Sequence, residues 1–95
     1  MKLSVLVPVH NGETFLERSL SALLASSRKP DEIVVVDDGS TDGTAAVARR
    51  FDVKLITLSG GPHGPAVARN RSAVAAHGDV LLFVDADVVV HETTL

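Results

Sequence analysis

Residues able to do chemistry gather at three points of the chain. Asp85-Ala-Asp87 sets two carboxylates at i and i+2, which extended backbone points to one side. With only the small Ala86 between them, such a pair suits a hard divalent cation, Mg2+ or Mn2+, shared with the phosphates of a ligand. Alone the triplet would equally be a solvated acidic turn; its place after the apolar run Val80–Val84 favours the metal. Asp37-Asp-Gly-Ser40 is a second acidic strand end. Adjacent carboxylates there repel and lose hydration unless a donor satisfies them, and a nucleobase N–H or ribose hydroxyls would do so. The competing reading is local: Asp38 and Ser40 shape a turn, and Asp42 caps the next helix. The third point is Gly60-Gly-Pro-His-Gly-Pro65, a glycine-rich loop feeding a helix whose N-terminus favours anions. Arg69 falls in the first two turns of that helix, either contacting a base or phosphate or standing as an exposed helical cation. His10 sits at a strand end and either lines the same region or is solvated. His63 and His91 read as surface residues and His77 as a helix C-terminal cation.

These groups need a scaffold, and the hydrophobic pattern supplies one. Leu3–Val9 is a β-branched run closed by Pro8, read as a strand. Leu16, Leu20, Leu23 and Leu24 recur at helical spacing; Thr14 and Glu17 make a capping box before them, and Arg28-Lys29-Pro30 marks the end. Ile33–Val36 is continuously apolar, as a strand covered on both faces must be. Ala45, Val47, Ala48 and Phe51 suggest a second helix, with Arg49 and Arg50 near its C-terminus, and Val53–Leu58 a third strand. Pro65 and Gly78 bracket a third helix, with Val67, Ala73 and Val74 as its expected buried stripe. Val80–Val84 is the fourth strand. Strands alternating with helices predict an α/β fold: three layers, with a parallel four-stranded Rossmann-like sheet and helices on both faces. Ligands of such sheets sit at the carboxyl ends of the strands. The acidic ends of strands two and four can share one ligand only if they flank strand one, which predicts the order 3-2-1-4.

Composition narrows the function. The 95 residues carry nine Lys and Arg against twelve Asp and Glu, a net charge of −3, so bulk charge does not hold nucleic acid or anionic lipid. With no cysteine there is no disulfide, thiol nucleophile or Cys-ligated metal. No apolar run approaches the ~20 residues of a transmembrane segment, and the N-terminus does not read as a signal peptide. The expected location is cytoplasmic, with membrane association open for a longer parent. The usual dinucleotide and P-loop glycine signatures are absent.

Ser4-Val-Leu-Val-Pro-Val-His-Asn-Gly12, Leu20-x-x-Leu23, Asp31-Glu-Ile-Val-Val-Val-Asp-Asp-Gly-Ser-Thr-Asp42, Ala68-Arg-Asn70 and Gly78-Asp-Val-Leu-Leu-Phe-Val-Asp-Ala-Asp87 closely resemble the nucleotide-binding half of the family 2 glycosyltransferases with the GT-A fold. The resemblance covers residues 3 to about 90. It implies binding of a nucleoside-diphosphate sugar, commonly UDP- or GDP-linked, and inverting transfer to an acceptor (sugar, lipid or polysaccharide) with Mg2+ or Mn2+. It implies that Pro8, Val9, His10, Asn11 and Glu13 line the base and ribose pocket. Asp37 would meet the base, Asp38 support the ribose region, and Arg69 contact base or diphosphate. Asp87 would be the principal metal ligand, and Asp85 would touch ribose or metal. Family members continue past the Asp-x-Asp into an acceptor half that carries the catalytic base. The 95 residues therefore correspond to a donor-binding part expected to lack turnover. A non-catalytic nucleotide-binding module is the alternative. A nucleotidyltransferase would want a basic glycine-rich loop after strand one, where His10-Asn-Gly-Glu13 stands. A phospho-receiver would want its acidic pair there. Strand four, an apolar edge followed by Val88-Val-Val90, is expected to self-associate.

Overall fold

The computed structural model describes residues 2–26 and 29–84. Its elements run β1 (Leu3–Val9), α1 (Glu13–Ala25), β2 (Glu32–Asp38), α2 (Thr44–Ala48), β3 (Lys54–Leu58), α3 (Pro65–Ala75) and β4 (Val80–Phe83). The strands form one sheet in the order β3-β2-β1-β4, and every pairing is parallel. This is the α/β architecture and strand order expected from the sequence. β1 and β2 occupy the centre and are buried almost throughout, which is why their side chains are apolar without alternation.

The pleat sends alternate residues into two separate cores. Val5, Val7 and Val9 of β1 and Ile33 and Val35 of β2 pack under Leu16, Leu20 and Leu23 of α1 and Val47 and Ala48 of α2. Leu6, Val34, Val36 and Leu58 pack on the opposite face against Ala68 of α3. Each fully buried Leu or Val contributes about 1.5–3 kcal/mol of transfer free energy. Helices therefore cover both faces, and the three-layer expectation holds.

Local details differ from the sequence reading where distant residues offer a better partner. α1 begins at Glu13, one residue before Thr14, so the Thr14–Glu17 capping box does not form. Its entry is tied to the β2–α2 loop instead. Gly12 N–H donates to Thr44 Oγ1 (2.9 Å), and Glu13 N–H donates to Asp42 Oδ2 (3.2 Å). The Glu13 carboxylate in turn accepts from Gly43 N–H at 3.2 Å. Lys29 lies beyond the end of α1 at Ala25, and Arg28 lies outside the described residues. α2 is short and ends before Arg49 and Arg50. On α3 the buried residues are Ala68 and Ser72, while Val67 and Val74 face solvent, Val74 at 85% exposure. Only Ala73 of the expected stripe packs inward, beside Ala75 and Ala76. A face of small side chains seats α3 on the sheet, and bulk is turned outward.

The amino ends of the strands are locked by a polar chain. Gly78 N–H donates to the Ser4 hydroxyl (2.8 Å), which donates to Glu32 Oε1 (2.7 Å). His77 N–H donates to the same oxygen (2.8 Å), and its ring lies 3.3 Å from Oε2. The His77 N–H is the largest influence on Glu32; with the Ser4 hydroxyl and the imidazole it outweighs burial and lowers the carboxyl pKa. Gly78 permits this closure, since a Cβ there would stand 2.8 Å from Ser4 N and 3.0 Å from Lys2 O. Gly78→Ala is expected to destabilise the fold by about 1–3 kcal/mol, the usual scale for forcing an atom into packed backbone. The check is the urea midpoint against the parent; an unchanged midpoint would show that β1 and β4 are not held this way.

Candidate functional site

At the carboxyl ends of β1 and β2 the chain opens into a cavity of about 340 Å3. Pro8, Val9 and His10 at the end of β1 line it, with Asp38 at the end of β2 and Arg69 from α3. The rest of the wall is Pro62, Gly64, Pro65 and Ala68, from the β3–α3 loop and the start of α3. Five of the residues singled out from the sequence thus converge, although they come from three different parts of the chain.

Asp38 organises this cavity. It is 3% exposed, and its carboxylate accepts from His63 N–H (2.8 Å to each oxygen) and from Gly64 N–H (2.8 Å). The glycine-rich loop ahead of α3 was expected to favour an anion, and in the structure that anion is Asp38 itself. Burial works to raise its pKa; the N–H donors of His63 and Gly64, with the His63 and His10 imidazoles, outweigh it and hold the carboxyl below the ordinary value. The neighbouring glycines are obligatory for close approach. Gly39 has φ +67°, and a Cβ on it would meet Gly61 Cα at 2.8 Å, while one on Gly61 would meet Asp38 Oδ1 at 2.6 Å. The Asp38 carbonyl accepts from His10 Nδ1 at 2.8 Å, which leaves Nε2 to accept from Asn11 Nδ2 at 3.3 Å.

Asp37 points the other way, as its neighbour in a strand must. It is 5% exposed, accepts from Ser40 N–H at 3.1 Å, and lines an adjoining cavity of about 320 Å3 with Thr57, Ser59 and Gly60. The two aspartates therefore serve opposite faces of the sheet and do not form one acidic pair. Asn11 and Glu13 do not line the Asp38 cavity. Asn11, at φ +52°, accepts from Thr41 N–H (2.8 Å) and donates its own N–H to Ser40 Oγ (2.8 Å). Glu13 is engaged with Gly43. Asp42 is the hub of this tie: the Thr44 hydroxyl is the largest influence on it, and with the Thr44 and Glu13 N–H groups it outweighs burial and lowers the carboxyl pKa. Asp42 was expected only to cap the next helix; the N-cap of α2 is Gly43, and Asp42, one residue earlier, accepts from the first N–H of both α2 and α1. Asp85 and Asp87, the expected metal ligands, lie outside the described residues, as do His91 and Val88–Val90. Among the described residues no group of three His, Cys, Asp or Glu is arranged to hold a metal ion. Sequence reasoning missed Ser40, Thr41 and Thr44 as partners of the β1–α1 loop, because nothing local in the chain marks a contact some 30 residues away.

The family model for glycosyl transferase family 2 matches residues 4–95. The chain belongs to glycosyltransferase family 2. Among curated relatives, the poly(ribitol-phosphate) beta-N-acetylglucosaminyltransferase TarS of Staphylococcus aureus is 35% identical over 101 residues, spanning 100% of this chain and 18% of TarS. The crystal structure of S. aureus TarS 1-349 in complex with UDP superposes with a TM-score of 0.90 at 35% identity, over 99% of this chain and 30% of that one. The mannosyltransferase PcManGT of Pyrobaculum calidifontis, in complex with GDP-Man and Mn2+, superposes at 0.80 with 32% identity, over 90% of this chain and 27% of that one. The chain thus spans under a third of the length of these family 2 relatives, and it has their GT-A fold. No helix among the described residues is long and apolar enough to cross a membrane.

The role of Asp38 can be tested through stability. Asp38→Ala leaves the His63 and Gly64 N–H groups without their acceptor and is expected to cost about 2–4 kcal/mol at pH 7. The folded carboxyl titrates below its ordinary value of 3.8. Its contribution is therefore complete above that value and lost as pH falls through the folded pKa. Urea unfolding of parent and variant should show a gap that narrows in acid. A gap unchanged down to pH 2 would show that the carboxylate charge is not what holds the loop.

Proposed function

We propose that this chain binds the nucleoside-diphosphate sugar donor of a family 2 glycosyltransferase at the carboxyl ends of β1, β2 and β4. The observation that carries the reading is the convergence of Pro8, Val9, His10 and Arg69 on one cavity at the ligand-binding edge of a parallel sheet. Structural neighbours with UDP, UDP-GlcNAc or GDP-Man bound support it. Pro8 and Val9 give the base and ribose an apolar wall, and His10 offers an imidazole edge. Asp37 accepts from the base across the adjoining cavity, while Asp38 acts by fixing the loop that walls the ribose region. Arg69 brings positive charge to the diphosphate. Asp85 and Asp87, following β4, would hold Mg2+ or Mn2+; that ion would neutralise the diphosphate as it departs from the anomeric carbon. Neighbours carrying Mn2+ support the metal. Within these 95 residues every carboxylate near the strand ends has a binding or folding task, so we expect binding without sugar transfer.

Calorimetric titration of UDP, GDP and their sugars, with and without Mn2+, tests the reading. The expected result is binding that Mn2+ strengthens at least tenfold. Asp87→Ala should lose that enhancement, and Asp37→Ala should weaken binding in both conditions. An Asp87→Ala variant still responding to Mn2+ would remove the metal assignment. A parent binding no nucleotide would remove the donor reading.

The same reading extends to the edge of the sheet. Val80, Leu81, Leu82 and Phe83 are each 37–43% exposed, so both faces of β4 present apolar surface. We expect the isolated chain to pair through this edge with a second copy. Sedimentation at tens of micromolar should show dimer; a clean monomer would overturn this.

A further inference from the structure

Among the described residues Arg69 is the one Lys or Arg lining the Asp38 cavity, and it has no carboxylate partner there. Its guanidinium lies instead over the ring of Phe83, with Cζ 5.9 Å from the ring centroid. The two residues come from different elements. Phe83 ends β4 opposite Leu6 of β1, and Leu6 belongs to the core on the α3 face, so the phenyl ring stands on the side from which Arg69 descends. Phe83 is 43% exposed, too open for a ring whose task is to fill a core.

We infer that Phe83 is a positioning residue for Arg69, holding the guanidinium at the cavity while leaving its charge available to an anionic ligand. An arginine side chain has many rotamers, and freezing it on binding is costly. A carboxylate partner would freeze it equally well and would also cancel the field that a diphosphate needs. A ring quadrupole attracts the cation without supplying a net negative charge. The planar guanidinium can stack on the ring and still turn its N–H fork outward for bidentate contact with phosphate oxygens. The function assigned to this pair rests on the donor-binding reading above; the stack itself does not.

The experiment uses the 95-residue chain and two readouts. In the first, the δ and ε proton resonances of Arg69 are measured without ligand. They should be displaced upfield by the ring current in the parent, keep that displacement in Phe83→Tyr, and lose it in Phe83→Leu. In the second, UDP affinity is measured for the same variants. Phe83→Leu should bind about two- to fivefold more weakly, Phe83→Tyr should match the parent, and Phe83→Leu added to Arg69→Gln should have no further effect. Circular dichroism confirms that the exposed edge position tolerates leucine. Equal UDP affinity in parent and Phe83→Leu, or a Phe83→Leu loss that persists without Arg69, overturns the inference. A parent that binds neither UDP nor GDP sinks the donor reading instead, and the Arg69 resonances then decide the Phe83 stack alone.

Discussion

The Asp38 carboxylate, buried at the tip of β2 and gripped by the His63 and Gly64 N–H groups, is the contact on which the loops at the carboxyl ends of the strands depend. A carboxylate taken out of water needs strong donors, and amides just ahead of a helix supply them. Satisfying that one group places the β3–α3 loop over the end of β2, and so sets where α3 begins and where Arg69 stands relative to Pro8 and Val9. The close approach then dictates glycine at Gly39 and Gly61, where any Cβ would collide with backbone or with the carboxylate. Asp38 shapes the cavity from within, with its own carboxylate fully engaged by the loop.

A second tie operates on the other face. The β1–α1 and β2–α2 loops satisfy each other's helix starts: Asp42 and Thr44 serve the entry of α1, and Glu13 returns a carboxylate to Gly43. Helix N-termini carry unsatisfied N–H groups that favour acceptors, and here the acceptors are exchanged between neighbouring loops. The result is a hydrogen-bonded rim on one side of β1 and β2, with the Asp38-held loop on the other.

The charge distribution follows the same division of labour. Asp38 and Asp42 have their carboxylates engaged by N–H and O–H donors and are locally satisfied. The Arg69 guanidinium lies over an aromatic ring and has no carboxylate partner among the described residues. The apolar faces of β4, unlike the buried faces of β1 and β2, are left open by the described residues.

The sequence by itself determined the element order, the central place of β1 and β2, the parallel sheet and the strand order. Hydrophobic periodicity is a local property, and continuous apolar strands with acidic tips leave few ways to assemble them. Strand ends and family motifs also marked Pro8, Val9, His10, Asn11, Glu13, Asp37, Asp38, Arg69 and Asp85 for one pocket; of these Pro8, Val9, His10, Asp38 and Arg69 line one cavity, Asn11, Glu13 and Asp37 face elsewhere, and Asp85 lies outside the described residues. What the sequence could not assign was partnership. That Asp37 and Asp38 part to opposite faces follows from the pleat, but which face opens on which cavity depends on where α3 lies. Thr14 carried a sound capping signal that lost to Asp42 and Thr44, because those side chains reach the α1 entry only once β1 and β2 have paired. The buried stripe of α3 was misread toward Val67 and Val74, since side-chain size argues for burial only until a sheet demands small residues at the contact. Hydrogen bonds and packing between residues some 30 positions apart are decided by three-dimensional adjacency, and only the tertiary structure shows which donors an aspartate has found.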